Sequence, residues 1–369
     1  MTKNRSGTWT LLKFEYSNSK LTEWLIVKIF SRDKVMVLTL TVGIFLLALV
    51  VRLHNVTTPE TFMVDEAYYV PAANSILSFE GDPNYVHPPF GKILIAAGIA
   101  IFGYNPLGWR IASVLAGSSI ISLTYLAGRR IFNEIVGASA AALLIVDPLE
   151  YSMSRIAMLD ILLAFFVTLA FASICYDRYY LSAVSLGLAC GIKLVGAFAA
   201  VGIIAYLVCS GKVKALKVIL PLGMCTFFLS IAPTFSWKGP TFTESFWFVV
   251  SWHTTLAAHH PSASHPYGWM FNLVPFPLYS GPEFSLSASA NPIIYPLSLP
   301  VALLLAYEAL KTKQVTLRLL PVFWIAFVYG LFFILPRKTQ FIFYLTPSVP
   351  AVVLLFSYGV IELLFRISK

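Results

Sequence analysis

The sequence predicts an all-α polytopic membrane protein. Of its 369 residues, 58% are hydrophobic and only 12% are charged, and the mean hydropathy is +0.78. A soluble globular chain carries roughly 25% charged residues. This chain therefore has too little polar surface to enclose the two or three soluble domains that its length would suggest. The composition excludes a disordered, a collagen-like and a soluble nucleic-acid-binding protein.

Long apolar stretches predict the transmembrane helices, each of which needs roughly 20 apolar residues. Ten stretches fit, of which 179–191 is the shortest: 35–53, 109–128, 132–148, 158–176, 179–191, 194–210, 216–236, 292–309, 318–336 and 340–365. A further stretch, 90–104, covers only about 15 residues, which favours a re-entrant or interfacial helix. We expect a transmembrane domain at 35–365 with 10 or 11 spans, between a cytoplasmic segment at 1–34 and a tail at 366–369.

The distribution of positive charge predicts the topology, because cytoplasmic loops collect Lys and Arg. If 90–104 does not cross, most of the 26 lysines and arginines lie on the cytoplasmic side together with both chain termini. If it crosses, the two sides carry about equal numbers. The first arrangement is therefore expected. It creates two external loops, at about 54–108 and about 237–291, which hold all six histidines.

The first external loop contains two polar motifs. Asp65 and Glu66 follow the first span closely. A solvated loop is an ordinary place for carboxylates, but a partly desolvated carboxylate at the membrane surface can also act as a general base toward a hydroxyl group. The second motif, His87-Pro88-Pro89-Phe90-Gly91-Lys92, is either a proline-set turn at the membrane boundary or the wall of a ligand site.

Two further motifs lie on the same predicted side of the membrane. Arg155 and Asp160 flank the start of the span at 158–176. An ionisable residue in hydrocarbon is expensive and usually faces a polar cavity with a partner. Both side chains can face one cavity if Arg155 precedes the helix. Lys193 lies at the junction of two spans, where it either extends its ammonium group to the interface or meets an anionic headgroup.

Four histidines lie in the second external loop, at positions 253, 259, 260 and 265. Zinc sites combine histidine with cysteine or carboxylate ligands at set spacings, and the nearest acids, Glu244 and Glu283, have no such register with them. We therefore expect no obligatory metal or other cofactor, although a divalent metal stays open. An aromatic loop that carries histidines fits contact with a sugar or a headgroup better.

The last external turn carries Arg337 and Lys338 and so departs from the charge rule. Such a local exception suggests a bound anion, and a lipid phosphate fits this position at the membrane surface. No Walker motif and no dinucleotide-binding glycine pattern occurs in the sequence, so no nucleotide site is predicted.

Six segments in this order resemble a known family across most of the chain, from about 35 to 360. They are Asp65-Glu66, His87 to Lys92, Arg155 to Asp160, Gly191-Ile192-Lys193, His265-Pro266-Tyr267-Gly268-Trp269 and Phe343-Tyr344-Leu345-Thr346-Pro347. Together they resemble the polyprenyl-phosphate-sugar glycosyltransferases of the GT-C fold, and among these the protein O-mannosyltransferases, which use dolichyl-phosphate mannose.

The resemblance implies a reaction and roles for individual residues. A sugar, expected to be mannose, would be transferred from a polyprenyl or dolichyl phosphate to Ser or Thr hydroxyls of proteins, with inversion at the anomeric carbon. Asp65 would be the general base, Glu66 would position it, and Asp160 would hold the sugar or Arg155. The remaining members of the expected site bind the donor phosphate, line its approach or belong to the aromatic motifs: Arg155, Lys193, Arg337, His87, Lys92, His265 and Tyr344.

The resemblance also implies partners and a location. These are the lipid-linked donor, a protein or peptide acceptor and the membrane lipids, with no nucleic acid, while a homo- or hetero-oligomer stays open. The site would face the external side of the cell membrane, or the lumen in a eukaryote. The second loop, about 55 residues long, is too short for the β-trefoil domain of eukaryotic members. This favours a bacterial or archaeal member and leaves the sugar and the acceptor open.

Two alternative functions accompany this prediction. The first is a transferase of the same fold with a lipid or glycan acceptor, similar to the aminoarabinose transferases of lipid A. The second is a transporter or flippase for a lipid-linked sugar. Transporters typically contain internal repeats and polar residues at the membrane midplane. This sequence has no visible repeat, and its ionisable residues collect near one predicted face, which favours transfer.

Overall fold

The computed structural model describes residues 32–282 and 284–367. Most of the predicted N-terminal segment at 1–34 and the last two residues of the tail at 366–369 therefore lie outside the described residues. Among the described residues, the chain divides into two units between Ile44 and Phe45. The second unit contains every candidate site residue.

Helices dominate the described residues, as the sequence predicts. The α-helices are α1 (Arg32–Leu53), α2 (Glu66–Leu77), α3 (Phe90–Phe102), α4 (Pro106–Ile131), α5 (Glu134–Ile145), α6 (Pro148–Met153), α7 (Leu159–Cys175), α8 (Tyr179–Ile192), α9 (Gly196–Cys209), α10 (Leu216–Ile231), α11 (Phe246–Thr255), α12 (Pro266–Trp269), α13 (Ile294–Thr312), α14 (Leu320–Trp324) and α15 (Val349–Ile367). Shorter helical turns of 3₁₀ or π type are Val213–Ala215, Ala232–Ser236, Leu317–Leu319, Ile325–Tyr329, Gly330–Phe333 and Ile342–Ser348.

Each of the ten predicted spans falls on helical structure, but the lengths differ. Five helical stretches among the described residues are long and apolar enough to cross a membrane: Lys34–Leu53, Pro106–Ile131, Val213–Ser236, Ile294–Thr312 and Ile342–Ile367. The other predicted spans lie on shorter apolar helices. The helix α3 has 13 residues and α8 has 14. The helix α3 lies on the stretch 90–104 and is almost as long as α8, which lies on a predicted span, so helix length does not show whether 90–104 crosses the membrane. That it does not cross stays a prediction.

Polar caps explain why several helices end inside apolar stretches. The Asn133 side chain accepts a hydrogen bond from the backbone N–H of Val136 and so begins α5. Asp147 accepts from the N–H of Glu150 and begins α6. Both are residue types that satisfy the free N–H groups at a helix start. The predicted span at 132–148 is therefore a helix of only 12 residues, followed after two residues by the short helix α6.

The second external loop has more regular structure than a loop prediction implies. It contains α11 and an antiparallel hairpin of β1 (Phe276–Ser280) and β2 (Ser285–Ala288), in which Phe276 pairs with Ala288. A small apolar cluster of Ile231, Phe242 and Val249 packs α11 against the end of α10. This packing fixes the position of α11 and of the histidine in its last turn.

Candidate active site

One cavity collects polar side chains from five separate parts of the chain. They come from the first loop, the start of α7, the residue after α8, the helix α11 and the last turn, and are His87, Asp160, Lys193, His253, Arg337 and Tyr344. Five of these six are among the residues that the sequence assigns to the site. The sixth, His253, is not.

A buried ion pair forms one wall of the cavity. The Nζ atom of Lys193 lies 2.7 Å from Oδ2 of Asp160, and both side chains are at least 90% buried. Asp160 is in the first turn of α7, where the helix dipole favours a negative charge. A pair of buried charges needs this mutual compensation to be tolerated, so each residue fixes the other.

A glycine permits the close packing beneath this pair. A Cβ atom on Gly91 of α3 would lie 2.6 Å from a methyl carbon of Leu159 and 3.1 Å from one of Ile192. These two residues are the chain neighbours of Asp160 and Lys193. Only glycine lets α3 approach α7 and α8 so closely at this point, and the glycine of the first-loop motif thus supports the ion pair.

Arg337 contributes a second cation with different partners. Its Nε donates to the carbonyl oxygen of Thr339 at 2.6 Å, and its Nη1 lies 3.1 Å from Nδ1 of His253. The Tyr344 ring lies between the two cations, 5.6 Å from Cζ of Arg337 and 5.4 Å from Nζ of Lys193. No carboxylate of the described residues forms an ion pair with Arg337. Its charge is therefore available to an anionic ligand.

Asp65 belongs to the same electrostatic neighbourhood. It lies at the start of α2, where its Oδ2 accepts a hydrogen bond from the Tyr69 hydroxyl at 3.3 Å. Burial raises the pKa of Asp65, the charge of Lys193 opposes this rise, and the charge of Asp160 adds to it. The Tyr69 ring also meets the His87 ring edge-on, with centroids 6.0 Å apart. A carboxylate with a raised pKa is a better proton acceptor than an ordinary aspartate.

Glu66, next to Asp65, forms with Arg110 a buried ion pair that links three segments of the chain; we call this pair the clasp. Its Oε1 accepts from Nε of Arg110 at 2.9 Å and from the N–H of Ala157 at 2.8 Å. Its Oε2 accepts from Nη2 of Arg110 and from the N–H of Met63, each at 2.9 Å. Because four donors occupy its two oxygens, Glu66 joins the first loop to α4 and to the turn before α7. That Glu66 positions Asp65 stays a prediction.

Arg110 completes this clasp, and the sequence analysis did not include it in the site. It also donates to three carbonyl oxygens of the first loop, those of Val56, Pro59 and Thr61. An arginine within an apolar stretch is a usable signal, because such a residue needs a partner. The sequence alone, however, does not identify that partner 44 positions away.

The structure corrects the expectation that Arg155 shares a cavity with Asp160. The Arg155 guanidinium donates to the backbone carbonyl of His54 at 2.6 Å and to the hydroxyl of Tyr151. It lines a separate cavity of about 450 Å³ beside β2. Arg155 indeed precedes α7, but the irregular turn at 154–158 directs the two side chains apart.

Lys92 and His265 also lie outside the cavity lining. The buried Lys92 pairs with Asp82 at 2.5 Å and donates to the carbonyl oxygen of His87 at 3.0 Å. It supports the backbone of the His87 segment instead of lining the donor approach. The exposed His265 stacks on Tyr267, with ring centroids 5.5 Å apart. Its motif meets a residue of the cavity through the buried Trp269, whose ring centroid lies 6.1 Å from that of Tyr344.

The two histidines of the cavity are held in the neutral form. Their rings lie 4.6 Å apart. Burial lowers the pKa of His87 well below its usual value, and burial together with Arg337 lowers the pKa of His253 to about 4. Among the described residues, no three His, Cys, Asp or Glu side chains are grouped closely enough to hold a metal ion. That the reaction needs no metal stays a prediction.

Comparison with known proteins shows which families and proteins this chain resembles. Residues 86–237 match the model of a family described as dolichyl-phosphate-mannose-protein mannosyltransferase. The polyprenol-phosphate-mannose–protein mannosyltransferase of Mycobacterium tuberculosis is 43% identical over 145 residues, which are 37% of this chain and 28% of that relative. This chain therefore covers less than a third of the length of that relative.

Two further comparisons concern arabinosyl transferases and their fold. The undecaprenyl phosphate-alpha-4-amino-4-deoxy-L-arabinose arabinosyl transferase of Pseudomonas aeruginosa is 36% identical over 121 residues, which are 31% of this chain and 22% of that relative. The crystal structure of ArnT from Cupriavidus metallidurans superposes with a TM-score of 0.62 at 15% identity, over 92% of this chain and 60% of that one. The chain thus has the fold of the GT-C glycosyltransferases, and its resemblance to the protein O-mannosyltransferases is confirmed over residues 86–237.

Proposed function

We propose that this chain transfers mannose from a polyprenyl-phosphate carrier to Ser or Thr hydroxyls of proteins. One observation carries the proposal: Arg337, which lacks a carboxylate partner among the described residues, faces the same cavity as Lys193, with Asp65 in the same electrostatic neighbourhood. An anionic leaving group needs cations, and a hydroxyl acceptor needs a base. The match over residues 86–237 names the donor and acceptor classes of the relatives.

The donor phosphate binds between the two cations in this proposal. When the bond from the anomeric carbon to the phosphate oxygen breaks, the lipid phosphate leaves with an additional negative charge. Arg337 and Lys193 stabilise that charge as it develops, a contribution of the kind that dominates many enzymatic rate enhancements. Asp160 holds the Lys193 ammonium group in place through the 2.7 Å contact.

Asp65 takes the proton from the acceptor. The hydroxyl oxygen forms its bond to the anomeric carbon on the face opposite the departing phosphate, and its proton passes to the Asp65 carboxylate. A single displacement of this kind inverts the anomeric configuration. Glu66 and Arg110 hold the start of α2, so that Asp65 keeps its place relative to the cations.

The site faces the external side of the membrane in this proposal. Three basic residues at or near helix ends, Arg130, Lys212 and Arg318, line a different cavity. Lys and Arg that flank membrane spans are typical of the cytoplasmic side. The proposed external placement would let the site act on exported proteins or on lipids of the outer leaflet.

A second candidate function has a specific observation behind it. The arabinosyl transferase of Pseudomonas aeruginosa matches over 121 residues, and ArnT shares the fold over 92% of this chain. These likenesses favour a transferase with a lipid or glycan acceptor as the alternative. Both candidates use the same donor chemistry and differ in what enters beside Asp65.

The purified chain in lipid nanodiscs separates the two candidates. It is supplied with undecaprenyl-phosphate mannose and, in parallel, with undecaprenyl-phosphate aminoarabinose. Each donor is offered to Ser- and Thr-containing peptides and to lipid A, and mass spectrometry identifies the products. We expect mannosylated peptide that disappears in Asp65→Asn. A product on lipid A alone supports the second candidate, and the absence of any product with every donor contradicts both.

A further inference from the structure

His253 connects three segments of the cavity wall. Its Nε2 lies 2.6 Å from the carbonyl oxygen of Val86, and its Nδ1 lies 3.1 Å from Nη1 of Arg337. A carbonyl only accepts hydrogen bonds and a guanidinium only donates them. The Nε2 atom must therefore carry the hydrogen, and Nδ1 must be the acceptor. The first loop, α11 and the last turn are linked in this way through one neutral tautomer.

The fold holds the imidazole in place. His253 lies one helical turn after Val249 in α11, and residues four positions apart share a helix face. Val249 is buried in the cluster that anchors α11. The imidazole ring also contacts that of His87, at an interplanar angle of 32° and with centroids 4.6 Å apart.

The contacts of Arg337 leave part of its guanidinium for a ligand. The described residues use Nε for the Thr339 carbonyl and Nη1 for His253. They make no hydrogen bond to Nη2. The plane of the guanidinium is thus set by two hydrogen bonds and by the Tyr344 ring, while its charge is not neutralised by a carboxylate.

We propose that His253 is a positioning residue that holds the guanidinium of Arg337 in the orientation that binds the phosphate of the lipid carrier. This inference rests on the proposed function. A neutral acceptor suits the task, because an aspartate or glutamate at this place would cancel the charge that the phosphate needs.

The electrostatic surroundings keep His253 neutral. The groups that face it are the Arg337 guanidinium, the Lys193 ammonium, the His87 ring and the Val86 carbonyl, and among these only the carbonyl favours protonation. Burial is the largest cause, and together with the charges of Arg337 and Lys193 it lowers the pKa of His253 to about 4. Protonation would place an N–H on Nδ1 against the N–H of Arg337 and break the contact.

Three substitutions separate positioning from packing. His253→Phe keeps a ring against His87 but removes both hydrogen bonds. His253→Asn places an amide oxygen near the position of Nδ1 and keeps an acceptor for Arg337. His253→Gln places an amide nitrogen near the position of Nε2 and keeps only the donor to Val86. The exposed His259 of the same loop gives the matched control His259→Phe.

The measurement is the affinity for undecaprenyl phosphate without a sugar, in micelles, for each variant with and without Arg337→Ala. The loss of a hydrogen bond to a charged group predicts an affinity about tenfold weaker for His253→Phe. His253→Gln should lose about as much, and His253→Asn clearly less. In the Arg337→Ala background the effect of His253→Phe should fall below about twofold, because the group it positions is gone. With the mannose-loaded donor, KM should rise more than kcat falls.

The outcomes have distinct meanings. Equal weakening by His253→Phe in both backgrounds would show that His253 acts independently of Arg337 and would overturn the inference, as would equal affinities of the Asn and Gln variants. If His253→Phe does not fold, the Asn and Gln pair still decides. If undecaprenyl phosphate does not bind the unsubstituted protein, the proposed function fails together with the inference. If undecaprenyl phosphate binds but the effect of His253→Phe does not depend on Arg337, only the inference fails.

Discussion

Replacing Glu66 by glutamine tests the clasp that positions Asp65. The carboxylate accepts one bond from Arg110 and one from a backbone N–H on each of its two oxygens. An amide has only one oxygen. Whichever way the side chain is turned, its NH₂ group therefore faces two donors, and one bond to Arg110 and one to the backbone are lost.

The magnitude follows from these lost contacts. Breaking a buried ion pair by removing one partner costs about 3–5 kcal/mol. Arg110 keeps its bonds to three backbone carbonyls, which places the expected loss near the lower end, at about 3 kcal/mol of unfolding free energy. Transfer activity should fall as well, because the turn that carries Asp65 loses two of the four hydrogen bonds through which Glu66 holds it.

Unfolding in mixed micelles, followed by tryptophan fluorescence, measures this loss. The matched control is Glu362→Gln, which changes the same side chain in an exposed pair with Arg366 at 3.3 Å and should cost at most about 0.5 kcal/mol. The double variant Glu66→Leu with Arg110→Met should recover little of the loss. It leaves no buried charge unpaired, but the three carbonyls bonded by Arg110 and the two backbone N–H groups bonded by Glu66 lose their partners. If Glu66→Gln loses no more stability than Glu362→Gln, the reasoning is refuted.

Four other predictions concern the site. The transfer rate should fall on acidification through a pKa above the usual range of an aspartate, because protonated Asp65 cannot accept a proton; a pH–rate profile without such a limb contradicts this role. Gly91→Ala should lower the unfolding free energy by about 1–3 kcal/mol through overpacking, measured by thermal unfolding. Arg337→Ala should raise the donor KM while Arg155→Ala leaves it unchanged, and equal effects would place both in one site. Transfer should survive EDTA, and activity restored only by a divalent cation would refute a metal-free reaction.

The sequence predicts the helices well because burial in a membrane requires apolar stretches, and all ten stretches fall on helical structure. It predicts their lengths less well, since a single polar residue ends a helix inside such a stretch. Asp147 does so near the end of the stretch 132–148, where it caps the short helix that follows α5. Counting apolar residues does not detect this effect, because the flanking residues remain hydrophobic.

The same limit applies to the site. Asp160 and Lys193 are predictable because each is an ionisable residue at the end of a span. Their pairing, and the separation of Arg155 from them, depend on a turn of five residues whose direction no periodicity encodes. His253 is still less accessible to sequence reasoning, because its partners lie 167 positions before it and 84 positions after it.

What distinguishes a structural from a functional charge in this fold is the number of partners, and only the structure shows it. Arg110 and Arg337 illustrate this difference. Arg110 bonds to a carboxylate and three carbonyls, whereas Arg337 has neutral partners and no carboxylate among the described residues. Loss of Arg110 should therefore reduce stability first, and loss of Arg337 should reduce donor affinity first. A variant series that reverses this order would contradict the assignment of the cavity as the phosphate site.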